Sequence, residues 1–166
     1  KTPPSMTHRL ASILFVSLLT AASLAQEATL GAGRAVLVTG ATTGIGRTTA
    51  ELLAAKGFFV YAGARKDADM KELSAIPNVQ AIRLDVTKPA EIEAAVKTVR
   101  DAGRGLYALI NNAGVAVPAP LIEIRETDLH FQMDVNVYGP YRVTKAFAPL
   151  LIESKGRVST TGSISG

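Results

Sequence analysis

The sequence predicts an α/β fold, a doubly wound parallel sheet truncated after its fifth strand. Three observations carry this. Short apolar, β-branched runs alternate with amphipathic stretches, the order from which parallel sheets with right-handed crossovers are built. The first run, Val36-Leu37-Val38-Thr39, leads directly into Gly40-Ala41-Thr42-Thr43-Gly44-Ile45-Gly46, a glycine-rich turn that opens a helix. A second turn, Asn111-Asn112-Ala113-Gly114, closes the fourth run.

Composition fits a single globular domain, with 48% hydrophobic and 19% charged residues among 166. There is no cysteine, so disulfides, thiol nucleophiles and Cys-based metal sites are excluded. With only His8 and His130, no metal site is expected either. Residues 1–26 hold Lys1, Arg9 and no acid, which leaves sixteen bases against fourteen acids in the remainder, a net charge of +2. That is too mild and scattered for a nucleic-acid partner. The first 26 residues read as a leader. Met6-Thr7-His8-Arg9 is a short basic start, Leu10 to Leu24 an apolar run, and Ser23-Leu24-Ala25 a small-residue cleavage site before Gln26. The expected location is periplasmic or secreted. An uncleaved leader would instead anchor the chain to a membrane, and a mis-assigned start would leave it cytoplasmic. Residues 27–166 form the domain.

Arg34–Thr39 is the first strand, apolar on both faces as a central parallel strand should be. Gly40, Gly44 and Gly46 let the backbone turn sharply and approach a bulky anion. The helix from Ile45 to Lys56 points its free N–H groups and positive dipole end at that anion, as a Rossmann fold does for a dinucleotide pyrophosphate. Ile45, Thr49, Leu52 and Leu53 mark one side of this helix, and Gly57 ends it.

Phe58–Ala62 is the second strand. Where dinucleotide folds that prefer NAD carry an acid for the ribose 2′-hydroxyl, this chain has Ala64, followed by Arg65. A guanidinium suits a 2′-phosphate and a carboxylate would repel one, so NADP is the expected cofactor, with NAD the alternative. Asp67–Ser74 is a short helix, Pro77-Asn78 a turn and Val79–Leu84 the third strand. Asp85 can serve the N-terminus of the next helix, ahead of Thr87. From Pro89 to Ala102, Ile92, Ala95, Val96 and Val99 keep helical spacing on one face.

Leu106–Ile110 is the fourth strand. A loop at Val117–Pro120 precedes a long helix from about Glu126 to Glu153. Pro140 lacks an N–H, and its ring clashes with the carbonyl of Asn136, so the helix should kink and free that carbonyl. Gly156–Thr161 is the fifth strand, with Ser159 expected to be buried in it.

Thr39-Gly40-x-x-x-Gly44-Ile45-Gly46, followed in order by Asn111-Asn112-Ala113-Gly114, resembles the short-chain dehydrogenase/reductase family, and the likeness runs from Ala35 to Gly166. The resemblance implies that Thr39, Thr42, Thr43 and the glycine turn hold the cofactor phosphates. It places Asp85 and the Val86 N–H against the adenine, and Asn112, Ala113 and Gly114 beside the cofactor ribose. It gives the Asn111 amide the task of tying strand ends together. It assigns the freed carbonyl of Asn136 to a water linking the catalytic lysine to solvent. The catalytic serine falls at Ser163, with Ser165 the alternative.

The family's proton donor, a Tyr-x-x-x-Lys pair roughly a dozen residues after the serine, is expected beyond Gly166. Tyr141 and Lys145 have that spacing, but they precede the serine on the kinked helix and are not the pair. The implied activity is reversible hydride transfer between NADP(H) and a small carbonyl or secondary-alcohol substrate, in a homo-oligomeric parent. The chain itself would be an incomplete fragment, inactive alone, with its fifth strand left as an apolar edge. Two other readings use the same motifs: a non-catalytic NADP sensor, and a relative of sugar-nucleotide epimerases.

Overall fold

A computed structural model describes residues 31–163. The leader and Ser165 lie outside these residues. Five strands, β1 (Ala35–Val38), β2 (Phe59–Ala64), β3 (Val79–Arg83), β4 (Ala108–Asn111) and β5 (Arg157–Thr160), form one parallel sheet in the order β3-β2-β1-β4-β5. Between them run α1 (Gly44–Ala55), α2 (Asp67–Ser74), α3 (Pro89–Asp101), α4 (Glu126–Met133) and α5 (Gly139–Glu153). The sheet order and the alternation of strand and helix are those of the doubly wound Rossmann-type fold.

Side chains alternate across the sheet and split the core into two layers. Leu37, Tyr61 and Leu109 pack with Ile92 and Val99 of α3 and with Val143 and Phe147 of α5. Val36, Val38, Val60 and Ala62 pack on the opposite side with Ala50 and Ala54 of α1 and Leu73 of α2. The winding direction reverses between β1 and β4, so the connections that follow them leave toward opposite faces of the sheet, the place where open α/β sheets bind ligands.

The stripe Ile92, Ala95, Val96 and Val99 is buried as its spacing predicts. On α1 the expected side is met in part: Leu53 packs against the core and Thr49 is half-buried. Ile45 and Leu52 are 67% and 54% exposed, and the buried residues are Gly46, Ala50 and Ala54. Small residues let this helix lie close against the sheet, with the bulkier Ile45 and Leu52 turned outward. Ser159 is also exposed, with every other residue of β5, because among the described residues β5 pairs only with β4. Val158 is the one apolar side chain on that edge. The single long helix is divided instead by a π-helical turn at Asp134–Tyr138, which ends two residues before Pro140. A wider turn adds room where the proline ring would meet the carbonyl four residues back.

Candidate functional site

A cleft of about 340 Å³ opens at the carboxyl ends of the strands. The turn after β1 lines it with Gly40, Thr42, Thr43 and Ile45, and the end of β2 contributes Gly63, Ala64 and Arg65. Leu84, Asp85 and Val86 follow β3, and Asn112, Ala113, Gly114 and Val115 follow β4. Val135 from the π turn and Thr161 beyond β5 complete it. Gly63, Leu84, Val115, Val135 and Thr161 line the cleft outside the candidate residues read from the sequence. All but Val135 sit at or just past a strand's carboxyl end, and that position is the signal that marks them.

Thr39, Gly44 and Gly46 do not line the cleft. Thr39 is 1% exposed, and its Oγ1 accepts hydrogen bonds from the N–H groups of Asn112 at 2.9 Å and Ala113 at 3.0 Å. The hydroxyl thus ties the end of β1 to the end of β4. Asn112 completes the knot. Its Nδ2 donates to the carbonyls of Thr39 and Gly40, each at 3.2 Å, and its Oδ1 accepts from Thr161 Oγ1 at 3.3 Å. The strand-tying amide is therefore Asn112, not Asn111. Asn111 has the parity of Leu109 and faces the α5 side of the sheet, where its Nδ2 donates to Thr144 Oγ1 at 3.0 Å.

Gly40 adopts φ +62°, and a Cβ there would lie 2.7 Å from Ala113 Cα. A Cβ on Gly46 would lie 2.3 Å from both Asn112 Nδ2 and the Gly40 carbonyl oxygen. These two glycines close the knot. Gly44, at φ +55°, has open space where its Cβ would be. Thr43 precedes α1 without a side-chain cap, and the first turn holds no acidic residue. The positive helix end is thus left to an entering anion, which suits a pyrophosphate.

Opposite this turn, Asp85 Oδ1 accepts from the N–H and the hydroxyl of Thr87, at 3.0 and 2.7 Å. Burial alone would raise the carboxyl's pKa. The Thr87 bonds, with Lys88 and Arg65 nearby, hold it below the ordinary value instead. Asp85 is thus kept ionised on the cleft wall. Ala64 is 1% exposed and Arg65 is exposed, with no ion-pair partner among the described residues.

Asn136 pairs with the loop after β4 rather than lining the cleft. Its Oδ1 accepts from Val115 N–H at 2.9 Å and its Nδ2 donates to Val115 O at 2.8 Å. One turn earlier, Gln132 does the same for Val117, at 3.0 and 3.4 Å. Four helical residues rise about 6 Å, close to the advance of two extended residues. Two amides on a helix therefore imitate a strand and hold this loop as a neighbouring strand would. Ser163 is exposed just past β5, outside the cleft lining. Tyr141 and Lys145 are exposed on α5, with Lys145 Nζ 3.4 Å from Tyr141 Oη, and neither lines the cleft.

An open parallel sheet with a glycine turn and a bare helix start at its switch point defines a dinucleotide-binding α/β domain. The particular family follows from comparison: the family model for short chain dehydrogenases matches residues 34–166, and this chain belongs to that family. It is 36% identical over 153 residues to the mitochondrial D-beta-hydroxybutyrate dehydrogenase of Mus musculus, covering 86% of this chain and 44% of that protein. It is 38% identical over 127 residues to a 3-amino-tetrahydro-pyrrolizinone reductase of Xenorhabdus hominickii, covering 75% of this chain and 44% of that one. Among solved structures it is similar to an alcohol dehydrogenase of the archaeon Thermococcus sibiricus, complexed with 5-hydroxy-NADP. That likeness has a TM-score of 0.74 and 29% identity, and covers 78% of this chain and 58% of the other. The chain thus spans less than half the length of these two curated relatives.

Proposed function

We propose that this chain is the cofactor-binding part of an NADP(H)-dependent oxidoreductase that interconverts a carbonyl and a secondary alcohol on a small molecule. The carrying observation is the charge at the end of β2, where Ala64 is buried and neutral and Arg65 stands exposed on the cleft rim. A 2′-phosphate meets a guanidinium there and no carboxylate. The backbone of Gly40 to Gly44 and the first turn of α1 hold the pyrophosphate, and Asp85 and the Val86 N–H address the adenine. Ala113 and Gly114 leave room for the ribose. A nicotinamide bound in this cleft supplies or accepts the hydride. Ser163 orients the substrate oxygen, and the Asn136 carbonyl holds the relay water. Tyr141 and Lys145 stand away from the cleft, so the proton donor is assigned to a Tyr-x-x-x-Lys pair outside residues 1–166.

Titrating the chain with NADPH and NADH, followed by nicotinamide fluorescence, tests the cofactor assignment. NADPH should bind about tenfold more tightly or better, the worth of one charge-assisted contact, and Arg65→Gln should abolish the difference. Equal binding by the unmodified chain would overturn it. The leader is assigned to export, which intact-mass analysis of the expressed protein tests: a mature chain should begin at Gln26.

A further inference from the structure

We infer that Arg83, which lies outside the cleft, is a positioning residue for the 2′-phosphate site: it holds the turn that presents Arg65. The inference rests on the NADP reading above. Arg83 is the last residue of β3 and pairs in register with Ala64 of β2. The Leu84 N–H bonds to the Ala64 carbonyl at 2.9 Å, and β2 ends there. The next carbonyl, that of Arg65, accepts from Arg83 Nη1 at 2.6 Å. The other arm, Nη2, pairs with the carboxylate of Asp67, the first residue of α2. One guanidinium therefore spans the whole turn between β2 and α2, taking over where the backbone ladder stops.

Two consequences bear on the ligand. A planar fork bonded to two acceptors fixes where the Arg65 backbone sits, and so where its side chain starts. It also occupies the Asp67 carboxylate, a negative charge two residues from Arg65 that would otherwise repel a phosphorylated ribose. Arg83 is absent from the cleft lining, so it acts through Arg65 and Asp67 and does not touch the ligand.

Calorimetric titration with 2′,5′-ADP and with 5′-AMP isolates this corner of the cleft. The unmodified chain should favour 2′,5′-ADP. Arg83→Gln should weaken 2′,5′-ADP about five- to tenfold, the worth of about one ordinary hydrogen bond, and change 5′-AMP less than twofold. Because most of the effect of Arg83 runs through Arg65, the double variant R65Q/R83Q should lose clearly less than the sum of the two single losses. Additive losses would mean that Arg83 contacts the phosphate itself, which overturns the inference. So would equal weakening of both nucleotides, the mark of a merely structural role. Arg83→Lys keeps the charge but not the fork, and full recovery by it would also overturn the inference. A chain that binds both nucleotides equally removes the NADP reading as well. A discriminating chain in which R83Q changes nothing removes this inference alone.

Discussion

Replacing Gly46 by alanine puts two opposing effects in competition. In an ordinary helix the change should stabilise by about 0.5–1 kcal/mol, because glycine loses more backbone entropy on folding. Here the new methyl would lie 2.3 Å from the Gly40 carbonyl oxygen and 2.3 Å from Asn112 Nδ2. The carbonyl belongs to backbone held by the strand ends and cannot swing away. The amide can move only by surrendering its bonds to Thr39 O and Gly40 O. Overpacking of this kind costs about 1–3 kcal/mol, and losing a hydrogen bond of the knot adds about 1 kcal/mol. The steric terms win, for a net loss of about 1–3 kcal/mol, a large share of the stability of a small domain. Urea unfolding followed by far-UV circular dichroism gives the number. Removing the amide with Asn112→Ala relieves one of the two contacts, so the double variant should lose less than the sum of the singles. A Gly46→Ala chain as stable as the parent, or strict additivity with Asn112→Ala, would refute the reasoning.

Other consequences can be measured directly. Tyr61 Oη is buried with no hydrogen-bond partner among the described residues, so Tyr61→Phe should raise unfolding stability by about 1 kcal/mol; a loss of that size would show the hydroxyl bonded. The double substitution Gln132→Ala and Asn136→Ala should speed amide exchange at Val115 and Val117 while leaving β1 and β2 protected, and unchanged exchange there would contradict the ladder. Asp85 has its folded pKa depressed below the ordinary 3.8, so its contribution is full above that value and is lost as pH falls through the lower folded value. The fall of the urea midpoint below about pH 4 should be shallower in Asp85→Asn than in the parent, and identical profiles would contradict the bonding to Thr87.

What could be read from the chain beforehand depended on whether one neighbour or several decided a residue's place. On α3, Ile92, Ala95, Val96 and Val99 meet one apolar layer, so spacing alone foretold the buried face. On α1 the turn before it and the amide of Asn112 compete for the same face, and close approach selected Gly46, Ala50 and Ala54 over Ile45 and Leu52. No periodicity announces that choice. Asn111 and Asn112 are chemically identical, and only the parity of β4 sends one to Thr144 and leaves the other among the strand ends. Ser159 was expected in a strand interior, yet strand order puts it on an edge, and that order is a property of the whole sheet. The glycine turn and Arg65 were legible because their chemistry is local. The knot behind them and the clamp by Arg83 join residues far apart in the chain.

The π turn acts as a phase shifter. In an uninterrupted helix of 3.6 residues per turn, Asn136, Val143 and Phe147 would share one face. One extra residue in the turn sets the two halves out of step by about 100°. Val135 then falls into line with Val143 and Phe147 in the core, while Asn136 looks outward to Val115. Deleting a residue between Asp134 and Tyr138 would bring the halves back into step and force a choice between a filled core and a pinned loop. The same offset uncouples the two jobs. Side chains at 132 and 136 can change the mouth of the cleft while the residues that anchor α5 keep their places.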